Sequence, residues 1–204
     1  MPMIPGTDLT VPPFVLGGNV FGWTADARQS YAVLDAFVAA GGAMIDTADS
    51  YAHWLGDGGG ESETILGRWL ADRGLRDQVL IATKVGKSPD NRGLSPAGIR
   101  AGLEGSLRRL GTDRVDLYYA HEDDLAVPMV ESLAAFDVAV REGTVRYLGA
   151  SNFTARRLRE AVAISQREGL ARYVALQPPY NLVDRAGFER ELAPVCAELG
   201  LGVL

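Results

Sequence analysis

The sequence predicts an α/β protein in which parallel strands alternate with helices in a (β/α) barrel. Three observations favour this fold. Short apolar runs recur at intervals of roughly 30 residues, as expected of repeated strand and helix units. Amphipathic segments fill the intervals, and no glycine-rich phosphate-binding turn follows the first run.

Seven apolar runs are candidates for the strands. Most of them are continuous rather than alternating, which is typical of strands buried on both faces of a parallel sheet. In chain order they are PFVLG near residue 14, GAMID near 43, VLIATK near 79, VDLYYAH near 115, VRYLGAS near 145, YVALQ near 173 and GLGVL at the end.

Six amphipathic segments are candidates for the helices. In the clearest of them, Ile99, Leu103 and Leu107 share one helical face. Ser95 precedes this segment as an N-cap, and Gly111 follows it as a C-terminal glycine. The other apolar faces span residues 31–38, 65–70, 130–140, 158–165 and 188–199.

The glycines in FVLGGNVFGW help to decide between two architectures of parallel strands. A doubly wound sheet that binds a dinucleotide carries G-x-G-x-x-G where its first strand turns into a helix. Residues 14–23 lack this spacing, and the regular repeat favours a barrel. Because no linker or low-complexity segment interrupts the repeat, residues 1–204 are predicted to form a single domain.

Composition argues against several classes of protein. The chain has 204 residues, a net charge of −6 and no basic run, so neither nucleic acid nor a membrane is expected as a partner. No apolar run approaches the roughly 20 residues that span a bilayer, and the N-terminus does not resemble a secretion signal. The single cysteine, Cys196, offers no disulfide and no metal-ligand spacing, so no metal is predicted, and a cytoplasmic location is expected.

Polar side chains end or directly follow five of the apolar runs. In a barrel the carboxyl ends of all strands surround one mouth, where the chemistry is found. One further polar residue, Tyr51, stands a short loop beyond the second run. The residues at the strand ends are Asp46, Lys84, His121, Ser151, Asn152 and Gln177.

Asp46, Tyr51 and Lys84 form a combination that suits proton transfer. Lys84 and Lys87 are the only lysines of the chain, and a lysine buried at a strand end needs an anion such as Asp46. The ammonium favours the phenolate, so Lys84 is expected to lower the pKa of Tyr51 from about 10. Tyr51 could then donate a proton to a carbonyl oxygen, and His121 could hydrogen-bond the same oxygen.

Each of these residues also has a plainer interpretation on its own. Asp46 could cap the following turn, and Tyr51 could serve packing alone. Lys84 could reach to solvent, and His121 could be a hydrogen-bonded polar residue without a chemical role. These interpretations weaken because all four residues fall at adjacent strand ends.

Ser151, Asn152 and Gln177 offer hydrogen-bond donors and acceptors together. A primary carboxamide, such as that of nicotinamide, needs both. The stretch SNFT is also a good helix N-cap before ARRLREA, and the two interpretations are compatible.

Taken together, these motifs resemble those of the aldo-keto reductases, and the layout is closest to the bacterial and potassium-channel-β-like branches. The resemblance runs from about residue 14 to the last residue and rests on DTADSY, IATKVG, DLYYAH, RYLGASNFT and LQPPYNLVDR, in the family's order and spacing. It implies a (β/α)8 TIM barrel that binds NADP(H), with NAD(H) also possible, and reduces aldehydes or ketones by hydride transfer.

The resemblance also implies a role for each site residue. According to this resemblance, Tyr51 is the general acid. Lys84, which is held by Asp46, lowers the pKa of Tyr51. His121 orients the substrate carbonyl. The residues that would hold the nicotinamide carboxamide are Ser151, Asn152 and Gln177.

The substrate is predicted only as a class, a small-molecule carbonyl compound. Trp23, Trp54 and Phe21 lie in predicted loops that would flank the mouth, which suits an apolar or aromatic compound or a sugar. His53 is expected in a loop that faces the substrate. Loop tryptophans can also serve packing alone, and the sequence leaves the oligomeric state open.

The sequence ends at GLGVL, inside the predicted seventh strand, whereas a barrel of this type usually needs about 250 residues. Beyond that point the family implies an aromatic residue stacked on nicotinamide, a loop that clamps the pyrophosphate and a site for the adenosine 2′-phosphate. Exposed strand edges and weakened cofactor binding are therefore expected. The chain is interpreted as a C-terminally truncated reductase, in preference to the alternative of a fragment that depends on another chain.

Other functions compete with a reductase. A non-catalytic NADP(H)-binding regulatory barrel, or an inactive fragment of a reductase, would keep the fold without turnover. A barrel isomerase or aldolase would use Lys84 to form a Schiff base, which a tight Asp46 partner disfavours.

Overall fold

The computed structural model describes residues 3–55 and 59–204, in which strands and helices alternate as the sequence predicts. Seven strands form one sheet, and a two-stranded antiparallel hairpin, β4 (Lys87–Ser88) and β5 (Asn91–Arg92), follows the third of them. The sheet strands are β1 (Leu16–Gly17), β2 (Met44–Asp46), β3 (Leu80–Val85), β6 (Val115–Ala120), β7 (Val145–Ser151), β8 (Tyr173–Gln177) and β9 (Gly202–Val203).

The order of the strands identifies the architecture. They are hydrogen-bonded in chain order, β1-β2-β3-β6-β7-β8-β9, and every pair is parallel. A doubly wound sheet reverses its strand order at a switch point, and this sheet has none in the described residues. Parallel strands added in sequence, with helices between them, are the arrangement of a (β/α)8 barrel, so the prediction of an incomplete barrel is confirmed.

Six α-helices connect the sheet strands, and their ends follow the capping signals of the sequence. The hydroxyl of Ser95 accepts a hydrogen bond from the Gly98 amide at the start of the third helix, and Thr154 caps the fifth in the same way. Glycines in the left-handed conformation end four of the helices. The helices are α1 (Ala27–Ala39), α2 (Glu61–Arg73), α3 (Pro96–Leu110), α4 (Met129–Arg141), α5 (Ala155–Glu168) and α6 (Ala193–Leu199).

The last predicted helix, over residues 188–199, differs from a single α-helix. A π-helical turn at Phe188–Leu192 precedes the seven-residue α6. Pro194 lies in the first turn of α6, where its missing amide hydrogen removes an i→i−4 hydrogen bond and favours such a local change of helix type.

Apolar side chains pack on both faces of the sheet. The larger cluster lies between sheet and helices and includes Trp69, Tyr118 and Phe136. The smaller cluster contains inward side chains of the strands, such as Met44 and Leu117, together with Ile4, Leu9 and Val11 of the N-terminal segment. The barrel interior is therefore a packed core.

Neighbouring residues of β3 and β6 face opposite sides of the sheet. Tyr118 joins the outer cluster and Tyr119 the inner one, and Thr83 and Lys84 divide in the same way. On the next strand a Cβ at Gly149 would lie 2.4 Å from the Tyr119 ring. Gly149 thus leaves the space in which Tyr119 packs near Lys84.

None of the helices in the described ranges is both long and apolar enough to cross a membrane. Within the same ranges, no group of three or more acidic, histidine or cysteine side chains is arranged to hold a metal ion.

Candidate active site

The structure places the predicted residues along the carboxyl edge of the sheet. Asp46 ends β2, Lys84 is the fifth residue of β3 and His121 follows β6. Ser151 and Gln177 end β7 and β8. Because parallel strands bring their carboxyl ends to one edge, residues far apart in the sequence meet here.

Lys84 is fully buried, and its ammonium group has three oxygen partners. Nζ donates to Asp46 Oδ2 at 2.6 Å, to the Thr47 carbonyl at 2.8 Å and to Tyr51 Oη at 2.9 Å. These bonds use all three N–H donors of the ammonium. Burial acts to lower the pKa of Lys84, but the charges and hydrogen bonds of Asp46 and Tyr51 raise it above its ordinary value, so Lys84 is a fixed cation.

Tyr51 is held so that its own proton remains available. Because Oη accepts the hydrogen bond from Lys84, its O–H bond is free to point elsewhere. The next residue, Ala52, is buried with a φ of 69°, which makes a tight turn directly after the tyrosine. We call Asp46, Tyr51 and Lys84 the Lys84 cluster.

The pKa of Tyr51 differs from the sequence prediction. Burial raises the pKa of the phenol above 10, and this effect outweighs the ammonium of Lys84, which lowers it. The predicted influence of Lys84 is present, but the predicted net direction of the pKa shift is wrong. Tyr51 is therefore a neutral phenol that retains its proton at neutral pH.

His121 lies beside Tyr51 as a neutral imidazole. The two rings are 6.0 Å apart between centroids and nearly perpendicular, at 79°. Burial, together with the positive charges of Lys84 and Lys87, lowers the pKa of His121 to about 3. Nδ1 is buried without a hydrogen-bond partner among the described residues.

Tyr51 and His121 open into a cleft of about 410 Å³, which we call the Tyr51 cleft. Trp54 and His53, which lie in a short 3-10 helix (His53–Leu55), line it. Trp23 packs edge-on against Trp54 at 5.2 Å, and both indoles are about half exposed. The remaining lining residues are Ser50, Lys87, Pro89, Arg92 and Glu122.

The prediction that Phe21 flanks the mouth is wrong, because Phe21 is 1% exposed. Its amide bonds the Gly18 carbonyl, and the left-handed Gly22 (φ 77°) continues the turn. The turn places the Phe21 ring in the outer core cluster instead of the cleft.

Ser151, Asn152 and Gln177 are close together, at the ends of β7 and β8. Ser151 Oγ donates to the Gln177 carbonyl at 2.9 Å, and Asn152 Nδ2 donates to the His121 carbonyl at 2.9 Å. Asn152 has a φ of 57°, a left-handed conformation that asparagine tolerates better than most residues. Neither Asn152 Oδ1 nor the side-chain carboxamide of Gln177 forms a hydrogen bond within the described residues, so both groups remain available to a ligand.

A second buried ionic group lies behind the strand ends, and sequence reasoning missed it. Glu63 of α2 is fully buried, accepts a hydrogen bond from Thr83 at 2.5 Å and pairs with Arg109 of α3 at 2.7 Å. We call these three residues the Glu63 cluster. At Gly67, where α2 meets α3, a Cβ would lie 2.2 Å from the Arg109 carbonyl, so the helices are in close contact.

Asp49 was also missed. It is 4% exposed, and both carboxylate oxygens lack a hydrogen-bond partner in the described ranges. Burial and the negative charge of Glu63 raise the pKa of Asp49 to about 7, against smaller effects of Arg109 and Lys84. Asp49 therefore responds electrostatically to both ionic clusters.

The sequence contained a signal for only some of the missed groups. Lys87 was visible as one of two lysines in a chain rich in arginine, and Pro89 in SPDN signals a turn. Burial of Glu63 and the bond from Lys84 to the Thr47 carbonyl leave no trace in the pattern, because ESET reads as an ordinary acidic helix start.

Comparison with known proteins identifies the family of the chain. The sequence profile of the Aldo/keto reductase family matches residues 13–204. An oxidoreductase of Bacillus subtilis, YrpG, is 38% identical over 97% of this chain and 63% of its own length. A probable voltage-gated potassium channel subunit beta of rice is 35% identical over 90% of this chain and 55% of its own length.

A putative aryl-alcohol dehydrogenase of Saccharomyces cerevisiae is 32% identical over 96% of this chain and 55% of its own length. The chain thus spans between about half and two thirds of these relatives. The family profile covers almost all of it, including every residue of the Lys84 cluster and His121. The chain belongs to the aldo/keto reductase family.

Proposed function

We propose that this chain carries the proton-donating site of an NAD(P)H-dependent reductase that converts aldehydes or ketones to alcohols. The observation that supports this most directly is the bond from Lys84 Nζ to Tyr51 Oη at 2.9 Å, at the edge of a cleft that also contains His121. An ammonium fixed against a phenol suits a group that must release a proton and then carry a negative charge.

The residues at the ends of β7 and β8 fit a nicotinamide carboxamide. Asn152 Oδ1 can accept from the amide NH2, while Gln177 offers both a donor and an acceptor. Ser151 is engaged with the Gln177 carbonyl and would position this pair. When bound, the cofactor would supply a hydride to the carbonyl carbon.

Tyr51 would supply the proton that completes the reduction. As the carbonyl oxygen gains negative charge, the phenol O–H bond breaks and the proton passes to that oxygen, forming the alcohol. The resulting phenolate is stabilised by Lys84, whose own charge is balanced by Asp46 at 2.6 Å. The raised pKa of Tyr51 keeps the proton in place until the substrate oxygen becomes basic enough to take it.

His121 would orient the substrate. Since its pKa lies near 3, the imidazole is neutral at pH 7 and carries one N–H. A neutral N–H donor can hydrogen-bond the carbonyl oxygen without competing with Tyr51 as the acid.

The test is cofactor oxidation by the purified chain with an aromatic aldehyde, a choice suggested by the name of the yeast relative. NADPH and NADH are compared. Tyr51→Phe should reduce kcat/KM by about 10³-fold or more, because the proton donor is lost. Tyr31→Phe, which removes an outer hydroxyl bonded to Asp72, should keep wild-type activity.

Turnover that persists in Tyr51→Phe contradicts the proposed acid. A second candidate is a non-catalytic NADP(H)-binding regulatory barrel, which the rice relative's name favours. It predicts cofactor binding by calorimetry with no turnover of any aldehyde or ketone, and with no effect of Tyr51→Phe on the dissociation constant.

A further inference from the structure

The Tyr51 cleft has an excess of positive charge. Among its described lining residues, the groups that are charged at neutral pH are Lys87, Arg92 and Glu122, two positive and one negative. His121 is held neutral, and the charge of Lys84 behind the cleft is matched by Asp46. This contrasts with a net charge of −6 for the whole chain.

The two cations come from one hairpin. In the register of β4 and β5, Lys87 stands directly opposite Arg92, so their side chains lie on the same face. Both residues line the Tyr51 cleft. They are therefore presented as a pair to whatever occupies it.

The hairpin is anchored on several sides. Asn91 Nδ2 donates to the Gly98 carbonyl at 2.7 Å, and the Leu94 amide donates to Asp124 Oδ2 at 2.8 Å. The left-handed Gly93 (φ 90°) lies so close to Asp124 that a Cβ would be 2.6 Å from its carboxylate. The backbone that carries both cations is thus held in place before a ligand arrives.

The ionic partners of the two cations differ. Lys87 faces Glu122 at a long 3.6 Å, with both side chains about one third exposed. Arg92 is exposed and forms no ion pair within the described residues. Arg68, which likewise forms no ion pair among the described residues, lies on α2, whereas Arg92 lines the cleft of Tyr51 and His121.

We propose that the substrate of this site carries an acidic group, a carboxylate or phosphate, which Arg92 binds with support from Lys87. This inference rests on the proposed function, since it assigns the Tyr51 cleft to the carbonyl compound. The guanidinium offers paired N–H donors that match a carboxylate or phosphate. The aromatic rings of Trp54 and His53 would contact the body of the same molecule.

Binding tests this without requiring turnover. Benzoate and benzamide share a ring and differ in charge, so their dissociation constants are measured on the purified chain by calorimetry, at low and high salt. Benzoate should bind at least about fivefold tighter than benzamide at low salt, and added salt should reduce the difference. Arg92→Gln should abolish the preference, and the matched variant Arg68→Gln should preserve it.

A second variant is expected to increase the affinity for benzoate, a result that damage to the fold would not produce. Glu122→Gln removes the only anion of the described cleft lining, so benzoate should bind roughly two- to threefold tighter than to the wild type. Equal affinity for benzoate and benzamide in the wild type, or an unchanged preference in Arg92→Gln, would overturn the proposal.

Two further measurements separate this inference from the proposed function. The aldehyde 4-formylbenzoate and its uncharged methyl ester are compared as substrates, and a lower KM for the acid, lost in Arg92→Gln, supports the proposal. If neither aldehyde reacts, the reductase assignment fails while the benzoate result still decides the charge preference.

The dissociation constants of phenyl phosphate and adenosine 2′-phosphate distinguish an anion of the substrate from the phosphate of the cofactor. Weakening of adenosine 2′-phosphate alone by Arg92→Gln would overturn the inference.

Discussion

Two buried ionic clusters lie on opposite faces of the same strand. Thr83 of β3 points outward to Glu63 and Arg109, while Lys84, the next residue, points inward to Asp46 and Tyr51. Each cluster pairs a buried carboxylate with a cation at 2.6 to 2.7 Å. The two clusters are alike in charge, although the Arg109 side chain is 30% exposed and the Lys84 side chain only 1%.

The clusters differ in what their hydrogen bonds leave free. In the Glu63 cluster, the two carboxylate oxygens are taken by Thr83 and Arg109, and none of the three side chains lines the Tyr51 cleft. In the Lys84 cluster, the hydroxyl of Tyr51 accepts one bond and keeps its proton, at the edge of the cleft. A buried ion pair therefore indicates a reactive site only when it leaves a transferable proton next to open space.

The largest expected effect is loss of turnover when the Lys84 cluster is neutralised. In the double variant Asp46→Asn/Lys84→Met both charges are removed together, so no unpaired buried charge remains. The protein should fold, while kcat/KM for an aromatic aldehyde falls by about 10³-fold or more because the phenolate loses its cation. Cofactor oxidation and circular dichroism measure the two quantities.

The matched control neutralises the Glu63 cluster in the same way. Glu63→Gln/Arg109→Met should keep kcat/KM within about twofold of the wild type, because no group of that cluster reaches the cleft. Similar losses in both double variants would remove the distinction between the clusters.

The second largest expected effect is a loss of stability when the Glu63 cluster is left without its cation. Arg109→Met alone leaves Glu63 buried without its cation, so the free energy of unfolding should fall by about 3–5 kcal/mol. Adding Glu63→Gln should restore most of the lost free energy of unfolding, since glutamine can still accept the hydrogen bond from Thr83. Urea denaturation measures both variants. A cost below about 1 kcal/mol for Arg109→Met would mean that the pair behaves like a surface ion pair, given that Arg109 is 30% exposed.

The smallest expected effect concerns Asp49, which responds to both clusters. Its pKa rises from 3.8 unfolded to about 7 folded, so the folded state binds more protons and stability falls as pH rises through this range. Between pH 5 and pH 7 this amounts to roughly 2 kcal/mol. Asp49→Asn should remove this contribution to the pH dependence of stability.

His121 changes the stability of the folded state with pH in the opposite direction to Asp49. Its pKa falls from 6.5 to about 3 on folding, so its contribution to stability is lost as pH falls through that interval. Between pH 4 and pH 6.5 the two groups therefore oppose each other. Asp49→Asn should make stability rise with pH in this window, and His121→Asn should make it fall, as measured by urea denaturation at several pH values. Parallel profiles for the two variants would contradict the pKa shifts.

The sequence was sufficient for the order of elements and for the residues that meet at the strand ends. Continuous apolar runs with Asp46, Lys84 and His121 at their ends predict a mouth because parallel strands leave little freedom in where those ends lie. The capping of α3 by Ser95 could also be predicted, because a helix cap depends on a few consecutive residues.

Features that depend on burial or on short-range turns could not be predicted in this way. The pKa of Tyr51 was predicted in the wrong direction because desolvation, unlike the charge of Lys84, is invisible in a motif. The prediction that placed Phe21 at the mouth failed because the turn around Gly22, which directs its ring into the core, is not visible in the sequence. The hairpin that carries Lys87 and Arg92 has strands of two residues, too short to show an alternating pattern.

The near absence of lysine has a practical chemical consequence. Lys84 is fully buried, whereas the Lys87 side chain is about one third exposed, so of these two lysines amine-reactive reagents reach Lys87. A dye or crosslinker attached there sits on the rim of the Tyr51 cleft and reports its occupancy. By the same geometry, coupling this protein to a surface through its lysine would obstruct the cleft, so immobilisation calls for a different handle.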